Sequence, residues 1–156
     1  MLPYKRIICP TDFSKPSYKA LKVANELALH FSAELILVHV ISPIPIVPVP
    51  AFPESPGAAT GFDVVAYQKE FERAARKKLK EAARRKVPGN IRVQTVIEEG
   101  NAADEIGRIA QKRKADLIVI ATHGETGWRH LIFGSVAERV VRHAPCSVLT
   151  VLAPRR

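Results

Sequence analysis

The sequence predicts an α/β fold, a five-stranded parallel sheet with helices on both faces. Apolar runs of strand length alternate with stretches of helical period, in the order βαβαβαβαβ. The second run, ELILVHVI, is β-branched or leucine on both of its faces, as a strand covered on both sides is. Each parallel connection needs a crossover, and a helical stretch supplies every one.

The elements follow in order. RIICP at 6–10 is a short buried strand. Ser14 can cap the next helix, whose apolar face is Ala20, Val23, Ala24, Leu27, Ala28 and Phe31, spaced by threes and fours. The second strand spans 34–41. Six of the twelve prolines then fall within 43–56, and Gly57 and Gly61 follow. Such a stretch cannot donate a regular ladder, so 43–62 is expected as an extended insertion loop inside one domain. Helical period returns from 63 to about 87, with Phe71, Ala74, Ala75, Leu79 and Ala82 on one face, and Pro88-Gly89-Asn90 ends it. A third strand is expected at 91–97. A helix capped by Asn101 turns Ala103, Ile106, Ile109 and Ala110 inward. DLIVIA at 116–121 is the fourth strand, a helix over 135–143 carries Val136, Ala137, Val140 and Val141, and SVLTVL at 147–152 is the fifth strand.

Composition excludes several classes. A chain of 156 residues, 47% hydrophobic and 25% charged, fits one globular domain and not intrinsic disorder. Its longest apolar runs, such as 35–38 and 117–121, are too short to cross a bilayer. Lys5 and Arg6 lead straight into Ile7-Ile8-Cys9-Pro10, which is not a secretory leader. Two cysteines cannot make a disulfide framework, and a cytoplasmic location is expected.

The formal charge is +9. Such a balance raises nucleic acid or an anionic surface as a partner. Residues 69–86 hold nine basic and three acidic side chains around an apolar stripe, a net +6 on one helix. That is how a helix lying on a sheet solvates its outer face, and no aromatic interleaving points to base recognition. Nucleic acid is therefore the less favoured partner.

In open parallel sheets, ligands bind beyond the carboxyl ends of the strands. After strand one comes Pro10-Thr11-Asp12-Phe13-Ser14, where Asp12 can accept a ribose hydroxyl, hold a metal-bound water, or simply satisfy helix amides. After strand four comes a glycine-bearing loop, 121–135, that runs into a helix start at Ser135. Its glycines let amides approach an anion, although Gly-Lys-Ser/Thr is absent and this is no P-loop. Of the five histidines only His123 falls in this proposed site, and none has metal-ligand spacing. Cys9 reads as a small core residue. Nothing pairs a nucleophile with a base and an orienting acid.

Together, Pro10-Thr11-Asp12, Leu37-Val38-His39-Val40, the loop 121–135 and Ala144-Pro145-Cys146-Ser147-Val148-Leu149 resemble the universal stress protein family, from about residue 3 to residue 153. Its ATP-binding members carry Gly-x2-Gly-x9-Gly-Ser/Thr. Gly124, Gly134 and Ser135 match the later positions, and Ala121 stands at the first. The resemblance implies strand order 3-2-1-4-5, an adenine-nucleotide alpha hydrolase-like fold, and a homodimer through strand 147–152. It also implies ATP, alone or with Mg, as ligand, with AMP or ADP as alternatives, and hydrolysis that is slow at most. Pro10, Thr11 and Asp12 would lie along the adenosine, and Val40 would flank the adenine. Gly124, Gly134, Ser135 and Val136 would cradle the phosphates, with Ala121, His123, Gly127 and Arg129 in the same loop. Glu125 opposes a triphosphate there. Two rivals remain: an interaction protein with a vestigial site, and nonspecific polyanion binding through 69–86.

Overall fold

The computed structural model describes residues 2–43, 64–122 and 134–152. The element order is β1 (Arg6–Pro10), α1 (Lys15–Phe31), β2 (Glu34–Ile41), α2 (Val64–Lys86), β3 (Val93–Glu99), α3 (Ala102–Lys112), β4 (Leu117–Ala121), α4 (Ser135–His143) and β5 (Ser147–Val151). All four strand pairings are parallel, in the order β3-β2-β1-β4-β5. The expected topology is the observed one. The insertion expected at 43–62 lies outside the described residues after Pro43.

Alternation along the strands builds two cores. Ile7, Cys9, Leu35, Leu37, Leu117 and Val119 face α1 and α2. Ile8, Ile36, Val38, Ile118 and Ile120 face α3 and α4. Ile7, Ile8, Leu35, Leu37 and Ile118 have no exposed surface, and each such side chain stabilises the fold by about 1.5–3 kcal/mol. On α1, Ala20, Ala24 and Ala28 let the helix lie close to the strands. Its start is capped by Ser14 and its end by Ser32, in the left-handed region at φ 52. Asn25, buried within α1, donates Nδ2–H to the carbonyl of Lys86 at 2.7 Å and so satisfies the end of α2.

Three expectations shift. The third strand begins at Val93 and runs on to Glu99, because Ile91 closes the turn after α2 through its amide to Pro88 O at 3.0 Å. On α2, Ala75, Leu79, Ala82 and Ala83 are buried, whereas Phe71 and Ala74 are exposed. On α4, Ala137 and Val140 face the core, but Val136 and Val141 remain exposed.

Candidate functional site

β1 is the switch point of the sheet, since the chain moves from it to β2 on one side and later to β4 on the other. Beyond the carboxyl ends of these three strands lies a cleft of ≈ 380 Å³, within the usual range for small-molecule sites. Val38, Ile106 and Ile120 supply apolar wall, and Thr11, Asp12 and Ser135 supply polar groups.

The segment after β1 is tied into a fixed turn. Phe13 sits at φ 66, a conformation costing a non-glycine residue about 1–3 kcal/mol unless its surroundings hold it. Its amide donates to Thr11 Oγ1 at 3.0 Å. Its ring packs against His39, centroids 4.4 Å apart, and Lys78 Nζ lies 4.5 Å from its centroid. Ser14 donates both its amide and its hydroxyl to Asp12 Oδ1. The Ser17 hydroxyl donates to Ser14 O at 2.9 Å, so the 2.9 Å bond between Thr11 Oγ1 and Ser17 Oγ takes its proton from Thr11. Asp12 thus does what the plainer sequence reading expects, ordering the turn before α1, and it also lines the cleft.

β2 outruns β1. Pro10, the last residue of β1, pairs with Val38, and Thr11 N–H donates to Val38 O at 2.8 Å. Peptide groups alternate sides along a strand. Ile41 O accepts from Gly100 on the β3 side, so the N–H and C=O of Val40 point to the β1 side, past its end. Neither joins the β1 ladder. The Thr11 carbonyl instead faces His39 Nδ1 at 2.8 Å. A carbonyl only accepts, so Nδ1 carries the proton.

α4 closes the far wall. α1 and α3 begin on side-chain caps, Ser14 and Asn101, but α4 begins on Gly134 with no side-chain cap. Ser135, Val136 and Ala137, whose amides form its first turn, line the cleft. Ala121, at the position of the missing motif glycine, belongs to the core cluster under α1 and α2. Its methyl packs into that cluster, and the residue also lines the cleft.

Pro10, Thr11, Asp12, Val40, Ala121, Gly134, Ser135 and Val136 therefore converge on one cleft. His123, Gly124, Gly127 and Arg129 lie outside the described residues. The expectation that only His123 among the histidines belongs to the site is corrected, because His39 lines it. Ser17, Ser42, Ala102 and Thr122 also line it without having been expected. A histidine at the carboxyl end of a central strand was the available signal for His39. Burial, followed by the charges of Asp12 and Glu81, raises the Tyr18 phenol above its usual range, so it supplies no base near neutrality. Among the described residues no group of three His, Cys, Asp or Glu is placed to hold a metal.

The sequence matches the universal stress protein family over residues 3–151. The chain belongs to that family. The universal stress protein MJ0531 of Methanocaldococcus jannaschii is 38% identical over 154 residues, covering 98% of this chain and 85% of that protein. MJ0577 of the same organism is 32% identical, covering 95% of this chain and 94% of that protein. Its solved structure superposes with a TM-score of 0.66 over 98% of this chain and 99% of that one, at 28% identity. A universal stress protein solved in complex with cAMP shares the fold, with a TM-score of 0.59 and 23% identity over 96% of this chain and 97% of that one. No helix among the described residues of this universal stress protein is long and apolar enough to cross a membrane.

Proposed function

We propose that this chain is a single-domain universal stress protein that binds an adenine nucleotide, ATP foremost, in the cleft beyond β1, β2 and β4. One observation carries the reading: the unladdered peptide groups of Val40 face a cleft whose other wall is the uncapped start of α4. An N–H beside a C=O matches the acceptor N1 and donor N6 on the edge of adenine. Apolar Val38, Ile106 and Ile120 suit its faces. Asp12, held by Ser14, would accept ribose hydroxyls. The first-turn amides of α4 and the Ser135 hydroxyl would hold phosphates, with the helix dipole favouring the anion. Gly124, Gly127, His123 and Arg129 complete the proposed phosphate side, where Mg could accompany the ligand and Asp12 could reach it through water.

Nucleotide occupancy then acts as the signal in a stress response. Hydrolysis is slow at most, since among the described residues no positioned base accompanies a nucleophile. The proposed assembly is a cytoplasmic homodimer through the outer edge of β5, where Leu149 and Leu152 are exposed. The rival reading of a vestigial site draws on Ala121 and Glu125; the packing of Ala121 in the core cluster favours the occupied site over it on the first count.

Calorimetric titration of the nucleotide-free protein with ATP and Mg tests the proposal. Saturable binding is expected, at least tenfold weaker in Asp12→Ala. Absence of heat from the folded wild-type chain, confirmed by equilibrium dialysis, overturns it.

A further inference from the structure

Parallel strands and returning helices give the two ends of this sheet different chemistry. The last turns of α2, α3 and α4 lie at the end where the strands begin, opposite the nucleotide cleft. They carry Arg84, Arg85, Lys86, Lys112 and Arg142. Two adjoining cavities of ≈ 530 and ≈ 340 Å³ open at this end. Arg6 and Glu34 line both, so they form one trough across the starts of β1, β2 and β3. Its cations are Lys5, Arg6, Arg92, Lys112, Arg113 and Lys114.

The acids nearby are already engaged. Glu34 Oε1 accepts from Gln94 Nε2 at 2.7 Å. Asp116 Oδ2 accepts the amides of Lys5 and Arg6 at 2.9 and 2.8 Å. No ion pair joins the six cations to either acid among the described residues. Arg6 Nε is buried and has no hydrogen-bond partner among those residues, a donor that calls for an acceptor. Lys114 holds φ 50 just after α3, a position where glycine is the usual residue, so a cation stands there despite the backbone cost.

We propose that this trough is a second binding site, for a linear chain of phosphates recognised without its bases. Guanidinium forks and ammonium groups match successive phosphates. Among the described residues no aromatic side chain lines the trough to stack a base. Among the described residues the site shares no lining residue with the nucleotide cleft, and it does not depend on that assignment.

Fluorescence anisotropy with labelled inorganic polyphosphate tests it, using single-stranded DNA of equal phosphate number as competitor. Wild-type protein binds polyphosphate saturably and more weakly as salt rises, and the DNA competes within about fivefold. Arg92→Glu/Arg113→Glu, both at exposed positions, weakens binding at least tenfold, while Lys69→Glu/Arg73→Glu on the outer part of α2 changes it less than twofold. Thermal melts and ATP calorimetry on both variants separate loss of the trough from loss of fold. Undiminished binding in the first variant, or equal losses in both, overturns the proposal. Binding of DNA with polyphosphate inert overturns it as well.

Discussion

Gly134 donates its amide to the carbonyl of Thr122 at 2.6 Å. Thr122, which has no exposed surface, donates its own amide to Val151 O at 3.0 Å. The start of α4 is thereby fastened to the ends of β4 and β5, so the amides of Ser135 and Val136 hold a fixed place across the cleft from Val40. Preorganisation of this kind lowers the ordering cost of binding an anion.

That clamp makes Gly134 informative. Its φ of −73 and ψ of 155 are ordinary for any residue. Gly134→Val therefore leaves the thermal midpoint nearly unchanged but weakens ATP binding at least tenfold, about 1.4 kcal/mol. Ala121→Gly should do the reverse. It leaves affinity within threefold, because the lost methyl packs in the core, and lowers stability by about 0.5–1 kcal/mol. Calorimetry and urea unfolding on both variants check the pair.

Asp12 orders the turn before α1, and one substitution separates that role from the proposed one at the nucleotide. Asp12→Asn keeps an oxygen to accept from Ser14 and removes the charge. Its stability stays within about 0.5 kcal/mol of wild type, while its affinity for ATP falls. Asp12→Ala loses both, with an added cost of about 1 kcal/mol comparable to losing a helix cap. Denaturant midpoints alongside Kd values check this.

Burial pushes the Cys9 thiol up to about 12 from an ordinary 9.0. The unfolded chain therefore releases this proton first as pH rises. The contribution of Cys9 is fully present below about pH 9 and is lost between pH 9 and about 12, at about 1.4 kcal/mol per unit. Urea unfolding at pH 8.0, 9.5 and 10.5 should show a steeper decline in wild type than in Cys9→Ala. A thiol reagent at pH 8 should leave Cys9 unmodified until the chain unfolds.

The half-packed α2 gives a stability contrast. Leu79 is 1% exposed and Phe71 is 47% exposed. Leu79→Ala should cost about 2–5 kcal/mol, and Phe71→Ala should stay within about 0.5 kcal/mol. Thermal or urea unfolding distinguishes them, and an equal cost would place the first turns of α2 against a surface of the protein.

Much of this was legible in the residues, for identifiable reasons. β1, β2 and β4 are buried on both faces, so their apolar runs mark them almost to the residue. β3 is an edge strand, and its last residues, Glu98 and Glu99, pair with Val40 and Ile41 without any apolar signal. Helical period placed Phe71 with Leu79 on one face of α2, but periodicity does not tell where a helix leaves its sheet. At the cleft, Asp12 and Ser135 followed from the strand end and the glycine-bearing loop, and Val40 from the family resemblance. The role of His39 was hidden because its bond to Thr11 O links residues 28 apart, and the inward turn of Ala121 depends on strand register.

The central claim, that an adenine nucleotide sits between Val40 and the start of α4, is tested most directly by a 15N-amide NMR titration with ATP and Mg. The account predicts that the amides of Val40, Ser135 and Val136 shift together, saturably and with one Kd, while those of Arg92 and Arg113 move far less at matched ionic strength. Saturable shifts confined to the opposite end of the sheet, or no shifts around Val40 and α4, would contradict it.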